Sequence, residues 1–154
     1  MNSSADASST TPPSIRSWPT STANTPATTG RSSLIVLHTH SVSGANVDAD
    51  DNGKDSAGDY FVFTEVVTNA KSGQRVGTDS ARCMFISRSD TMCDATLRLA
   101  GRGKIMVAGS FMSKPDTALP VVGGTRSFKG VDGQFNVFNA PHGDSIIVLD
   151  LNGS

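Results

Sequence analysis

Four side chains in this sequence have types and spacings that could do chemistry: His38, His40, Glu65 and Cys83. The two imidazoles lie two residues apart in Leu34-Ile35-Val36-Leu37-His38-Thr39-His40-Ser41, the first stretch that reads as structure. A strand alternates its side chains between two faces. Val36, His38 and His40 therefore share one face, and Ile35, Leu37 and Thr39 share the other. Two histidines on an otherwise apolar strand line a cavity, bind a metal or face water, and we read them as facing a cavity. Glu65 lies on a second run, where Phe61, Phe63 and Glu65 share a face. A carboxylate among phenylalanines is costly unless it has partners, and His38 and His40 are the natural ones. In a third run Ser80, Arg82 and Met84 alternate with Ala81, Cys83 and Phe85, which turns Cys83 inward. A histidine can give a proton near neutral pH, and burial raises a glutamate's hold on its own.

These residues need strands to position them, and the chain supplies strands in series. After Leu34–Ser41 comes a polar loop, Ser43–Asp59. Tyr60–Val67, Val76–Ile86, Cys93–Leu99 and Lys104–Phe111 follow, separated by Asn69–Gly73, Ser87–Thr91 and Ala100–Gly103. A looser Pro115–Leu119 runs into Pro120-Val121-Val122, and Gly133–Phe138 and Ser145–Leu151 finish. In Cys93–Leu99 the polar Asp94, Thr96 and Arg98 turn outward, leaving Cys93, Ala95, Leu97 and Leu99 inside. About eight strands at this spacing, with short turns and no useful helical period, predict an all-β antiparallel meander. Eight such strands can close into a barrel whose lumen holds one small ligand.

The 154 residues suffice for one domain with a real core. A net charge of −1 offers no chain-wide attraction to nucleic acid or to an anionic membrane, and neither is expected as a partner. Apolar residues make up a low 36%. The deficit sits in residues 1–32, rich in Ser, Thr, Ala and Pro, with only Ile15 and Trp18 large and apolar. We read 1–32 as a disordered tail and 33–154 as the folded domain. Ser14–Pro19 is the one piece of the tail that could dock, as a lid over a cavity mouth. No window is long and apolar enough for a membrane span, and the N-terminus lacks a secretory profile. A soluble, cytoplasmic protein is the expectation, with a signal removed upstream left open.

Two cysteines, Cys83 and Cys93, do not make a disulfide scaffold. They flank one turn and could be cross-strand neighbours able to pair, although a cytoplasmic location argues against it. Asp48-x-Asp50-x-Asn52-Gly53, with Asp59 at the twelfth position, fits a calcium-loop pattern in its oxygen ligands. No helices flank it, and its last ligand is Asp where Glu is usual. A solvated acidic loop is the better reading.

Several pieces in order resemble the allene oxide cyclase barrel family and its relatives, the dirigent proteins. They are Val36–His40, Phe63-Thr64-Glu65, Arg75-Val76-Gly77-Thr78 leading to Ala81-Arg82-Cys83, Lys104–Gly109, and Gly123-Gly124-Thr125 followed by Phe128–Gln134. The likeness spans roughly 33–151. It implies a small eight-stranded barrel with an apolar lumen, no organic cofactor, and a dimer or trimer. It also implies an extended apolar or polyene-like substrate steered into one cyclised stereoisomer, as in bacterial cyclases of specialised metabolism. His38 and His40 stand where the cyclases carry Glu and Asn. Arg126 stands where the family's Gly-Gly-Thr-Gly has its last glycine, and Asp132 where dirigent proteins carry an Arg, which favours the cyclase side.

The leading expectation is thus a cofactor-free cyclase. His38, His40, Glu65 and Cys83 supply its catalytic polar points, and Phe61, Phe63, Phe85, Leu97 and Val107 shape its pocket. A metal enzyme built on His-x-His and a carboxylate, and a non-catalytic dirigent-like binder, are the alternatives.

Overall fold

The computed structural model describes residues 32–112 and 118–153. The expected tail, apart from Ser32, and the Pro115–Thr117 part of the sixth strand lie outside the described residues. Eight strands follow one another: β1 (Ser32–Val47), β2 (Tyr60–Asn69), β3 (Arg75–Phe85), β4 (Asp90–Leu99), β5 (Gly103–Met112), β6 (Ala118–Gly124), β7 (Asp132–Asn139) and β8 (Ser145–Asn152). Each pairs antiparallel with the next, and β8 pairs with β1, so the sheet closes into a barrel. Closure leaves no edge strand to recruit other chains. Among the described residues, helix is confined to 3-10 turns at Arg126–Phe128 and Pro141–Gly143. None is long and apolar enough to cross a membrane.

The turns carry the chemistry that their geometry demands. Between β2 and β3, Asn69 Oδ1 accepts hydrogen bonds from the Lys71 and Ser72 amides at 2.9 Å. β1 runs six residues beyond Ser41, into the stretch that reads as loop, because a bulge at Val42 re-phases it against β2.

The two ends of the barrel differ. At the end where β1 begins and β8 ends, Leu37, Val67, Leu97, Ile105, Leu149 and Leu151 fill the interior. Phe128 closes this end, with the Arg102 guanidinium 4.9 Å from its ring centroid. The core thins toward the other end, where β1 finishes and β8 starts, and there the lumen is hollow.

Arg126, in place of the family's glycine, holds a left-handed φ of 55°. That conformation costs a residue with a Cβ about 1 kcal/mol or more, so the resemblance and the backbone agree on why glycine belongs there. Gly133 has φ 141°, and a Cβ added to it would run into the Asp150 carbonyl. Arg126→Gly should therefore stabilise the fold by about 1 kcal/mol, and Gly133→Ala should destabilise it by about 2 kcal/mol. Urea unfolding of both variants reads these opposite signs.

Candidate functional site

The hollow half of the barrel is a cavity of about 150 Å3. It is walled mainly by apolar groups, among them Phe61, Phe63, Ala81, Leu119, Phe135 and Ile147. Strand alternation delivers them: Phe61, Phe63 and Glu65 come from one face of β2, and Asp79, Ala81 and Cys83 from one face of β3. Glu65 and Asp79 are register partners on these neighbouring strands, so two carboxyl groups project side by side into the same apolar space. Asp79 is 3% exposed. Thr39 from β1 and Ser145 from β8 are the hydroxyls in the wall. Thr39 is 1% exposed, and its Oγ1 closes no hydrogen bond of ordinary geometry.

Electrostatics follow from this placement. Burial pushes the Asp79 carboxyl up to about 6, the charge of Glu65 adds to the shift, and the Ser80 amide, which donates to Asp79 Oδ1 at 2.8 Å, works against it. Burial also raises Glu65 above the ordinary carboxylate range. The Thr39 hydroxyl beside it and the His40 charge pull the other way, while Asp144 pushes with burial. Two like-charged groups in one apolar space hold protons more tightly than either would alone.

The histidines are a correction. β1 is phased with Leu37 and Thr39 inward, and His38 and His40 outward. The His40 side chain is 68% exposed, and its Nδ1 donates to Asp144 Oδ1 at 2.6 Å, on the outer rim. An imidazole on the outer face cannot touch a guest in the lumen. Phasing decides this: Leu37 joins the buried core while Leu34 and Val36 stay exposed. The expected ligand set of His38, His40 and Glu65 is therefore split between the two sides of the wall.

Cys83 does line the lumen, but as half of a disulfide with Cys93, its register partner on β4. A disulfide sulfur is not a thiolate nucleophile, so the geometry gives Cys83 a wall position in place of the catalytic one. Of the expected pocket residues, Phe61 and Phe63 line the cavity. Leu97 and Val107 are instead buried in the packed core, 1% and 3% exposed, although their register partners Asp79 and Ala95 line the cavity. Phe85 lines a second cleft of about 410 Å3 at the open end, with Asn46, Tyr60 and the Asp48–Asp59 loop. Phe61 borders both spaces, and its ring centroid lies 6.1 Å from Phe63 and 6.0 Å from Phe85. The cleft thus adjoins the lumen at Phe61.

The acidic loop organises itself. Asp48 accepts from the Gly53 amide at 2.7 Å, and Asp59 from the Ala49 and Ser56 amides, both at 2.7 Å. Asp50 accepts from Asn52 Nδ2 at 2.6 Å. These bonds, the Gly53 amide foremost for Asp48 and the Ala49 amide for Asp59, hold both carboxyls below the ordinary range. Oxygen atoms of Asp48, Asp50 and Asp59 lie within 4.8 Å of one another, but the protein's own donors already use them. The loop therefore reads as a braced turn at the cavity mouth.

Asp79 is the group that sequence reasoning passed over. The alternation that turns Ala81, Cys83 and Phe85 inward also turns Asp79 inward, so the signal was present. Its burial has a direct consequence. The folded state binds the Asp79 proton more tightly than the unfolded chain, whose carboxyl titrates near 3.8. The stability this contributes is fully present below about pH 4 and is lost as pH rises through about 6. Asp79→Asn should therefore be more stable than the parent at pH 8, by an amount on the order of 3 kcal/mol at most. The advantage should fade as pH falls toward 4, a trend read by urea unfolding across that range.

Neither a protein-family model nor a curated protein sequence matches this chain. Solved structures do. A pyocyanin demethylase is 21% identical with a TM-score of 0.67, over 78% of this chain and 100% of that one. An exo-specific intermolecular Diels-Alderase is 15% identical with a TM-score of 0.64, over 80% of this chain and 100% of that one. A pterocarpan synthase dirigent protein is 19% identical with a TM-score of 0.60, over 80% of this chain and 87% of that one. At these identities the likeness speaks for the fold. The chain has the closed eight-stranded barrel that a dirigent protein and bacterial cyclases share, the architecture that its resemblance to the allene oxide cyclase and dirigent barrels implies.

Proposed function

We propose that this barrel is a cyclase-type enzyme of specialised metabolism, acting on a small, extended and mainly apolar molecule held in the lumen. The observation that carries this reading is the Glu65–Asp79 pair, two adjoining carboxyl groups in an otherwise apolar cavity. Titratable groups displaced by burial and by each other are what acid–base sites are made of. The pair would fix one polar atom of the guest and give it or take from it a proton. Phe61, Phe63, Phe135 and Ile147 would fold the remainder into a reactive shape, and orientation would supply much of the rate. The adjoining cleft shares Phe61 with the lumen, so a guest longer than the lumen would run out past Phe61. Neighbours of the same fold named as Diels-Alderases support a cyclisation.

No step in this scheme requires an organic cofactor, and the apolar wall suits an apolar guest. Association into a dimer or trimer stays part of the proposal. The Cys83–Cys93 pairing favours an oxidising compartment over the cytoplasm expected from sequence.

Native mass spectrometry of the untagged protein tests the reading by giving the mass of a co-purified guest. With the corresponding open-chain compound as substrate, Glu65→Gln and Asp79→Asn should each lower kcat by about 10²- to 10⁴-fold. Chiral chromatography should show the product's stereochemical purity eroding, while His38→Ala leaves rate and product unchanged. A guest that binds and is returned chemically unaltered would favour the dirigent-like binder. Full activity in both folded carboxamide variants would remove the pair from the chemistry.

A further inference from the structure

The lumen has an unbalanced electrostatic character. Glu65 and Asp79 bring two ionisable acids into it, and no Lys or Arg lines it among the described residues. On the outer rim His40 and Asp144 bond to each other. Elsewhere in the wall the polar side chains are the neutral Thr39 and Ser145. Asp79 receives one amide hydrogen bond, from Ser80. Buried carboxylates are tolerated when paired with a cation, and a pair left without one is expensive. Three phenylalanines, Phe61, Phe63 and Phe135, complete the wall, and aromatic faces attract positive charge that has been stripped of water. Thr39 Oγ1, buried and unpartnered, adds a lone pair able to accept from an N–H.

We infer that the guest of this lumen carries a basic or permanently cationic nitrogen and binds with that nitrogen against Glu65 and Asp79. The inference rests on the proposed use of the lumen as the binding site and goes beyond it by naming the charge of the substrate. An anionic guest, such as a free fatty acid, would add a third negative group to the same space and is disfavoured by the same argument. A cationic nitrogen and a proton compete for the same two carboxyl groups, so the cation should bind less tightly as pH falls through about 6.

A matched pair of probes decides the matter: 1-methylquinolinium and 1-methylnaphthalene, nearly equal in shape and different by one charge. Each is titrated at pH 7.5 into the full chain, followed by amide NMR with Thr39, Ala81 and Ala95 as lumen reporters. The cation should bind about ten-fold or more tightly than its neutral twin. Glu65→Gln and Asp79→Asn should each reduce that preference, and together they should abolish it while binding of the neutral probe persists. These carboxamides remove buried acids without changing shape, so the variants should fold. Equal or tighter binding of 1-methylnaphthalene would overturn the inference while leaving the lumen as a binding site. A preference for the cation that survives both substitutions would also overturn it. If neither probe moves the lumen reporters, the binding-site reading falls as well.

Discussion

Pairing of β8 with β1 is the constraint on which the rest depends. Once the sheet closes, every strand residue is committed to one of two environments, and strict alternation leaves no third. Leu37 and Thr39 go in, and His38 and His40 go out. The same commitment carries Glu65 and Asp79 inward beside residues whose burial stabilises the barrel, because neither can turn away without turning out Phe63 or Ala81 with it. The acids are thus held in the lumen by the hydrophobic burial of their strand neighbours.

The barrel then divides its interior by residue size. Toward one end Leu, Ile and Val from all around the wall meet and fill it, and Phe128 with Arg102 closes it. Toward the other, Ala81, Ala95, Thr39, Ser145 and the paired cysteines leave room. Glu65 precedes buried Val67 by one inward position on β2 and Asp79 lies opposite buried Leu97, so the carboxyl pair borders the filled half. Phe61 and Phe63 thus lie toward the mouth of the open half, and the carboxyl pair lies deeper. The Cys83–Cys93 bridge ties β3 to β4 beside this space, and the braced Asp48–Asp59 loop shapes its mouth. The two acids are costly to place in an apolar space, and the hydrophobic burial of the filled half offsets that cost.

The sequence by itself determined the strand count and order, because alternating apolar runs separated by Gly, Asn and Ser turns admit little else. It also determined the inward faces of β3 and β4, where one face of each strand is clearly more polar than the other. Phe61, Phe63 and Glu65 were legible as residues sharing one face of β2, and the structure turns that face to the lumen. The inward face of β1 was not legible, since Leu34 and Val36 on one face balance Ile35 and Leu37 on the other, and a period of two carries no preference when both faces are apolar. Only closure against β2 and β8 chose between them, by burying Leu37 and leaving Leu34 66% exposed. The meeting of Glu65 with Asp79, the joining of Cys83 to Cys93 and the unpartnered Thr39 hydroxyl are likewise facts of register. They arise from which residue lies opposite which, and that is set by pairing between strands rather than by any one strand's own sequence.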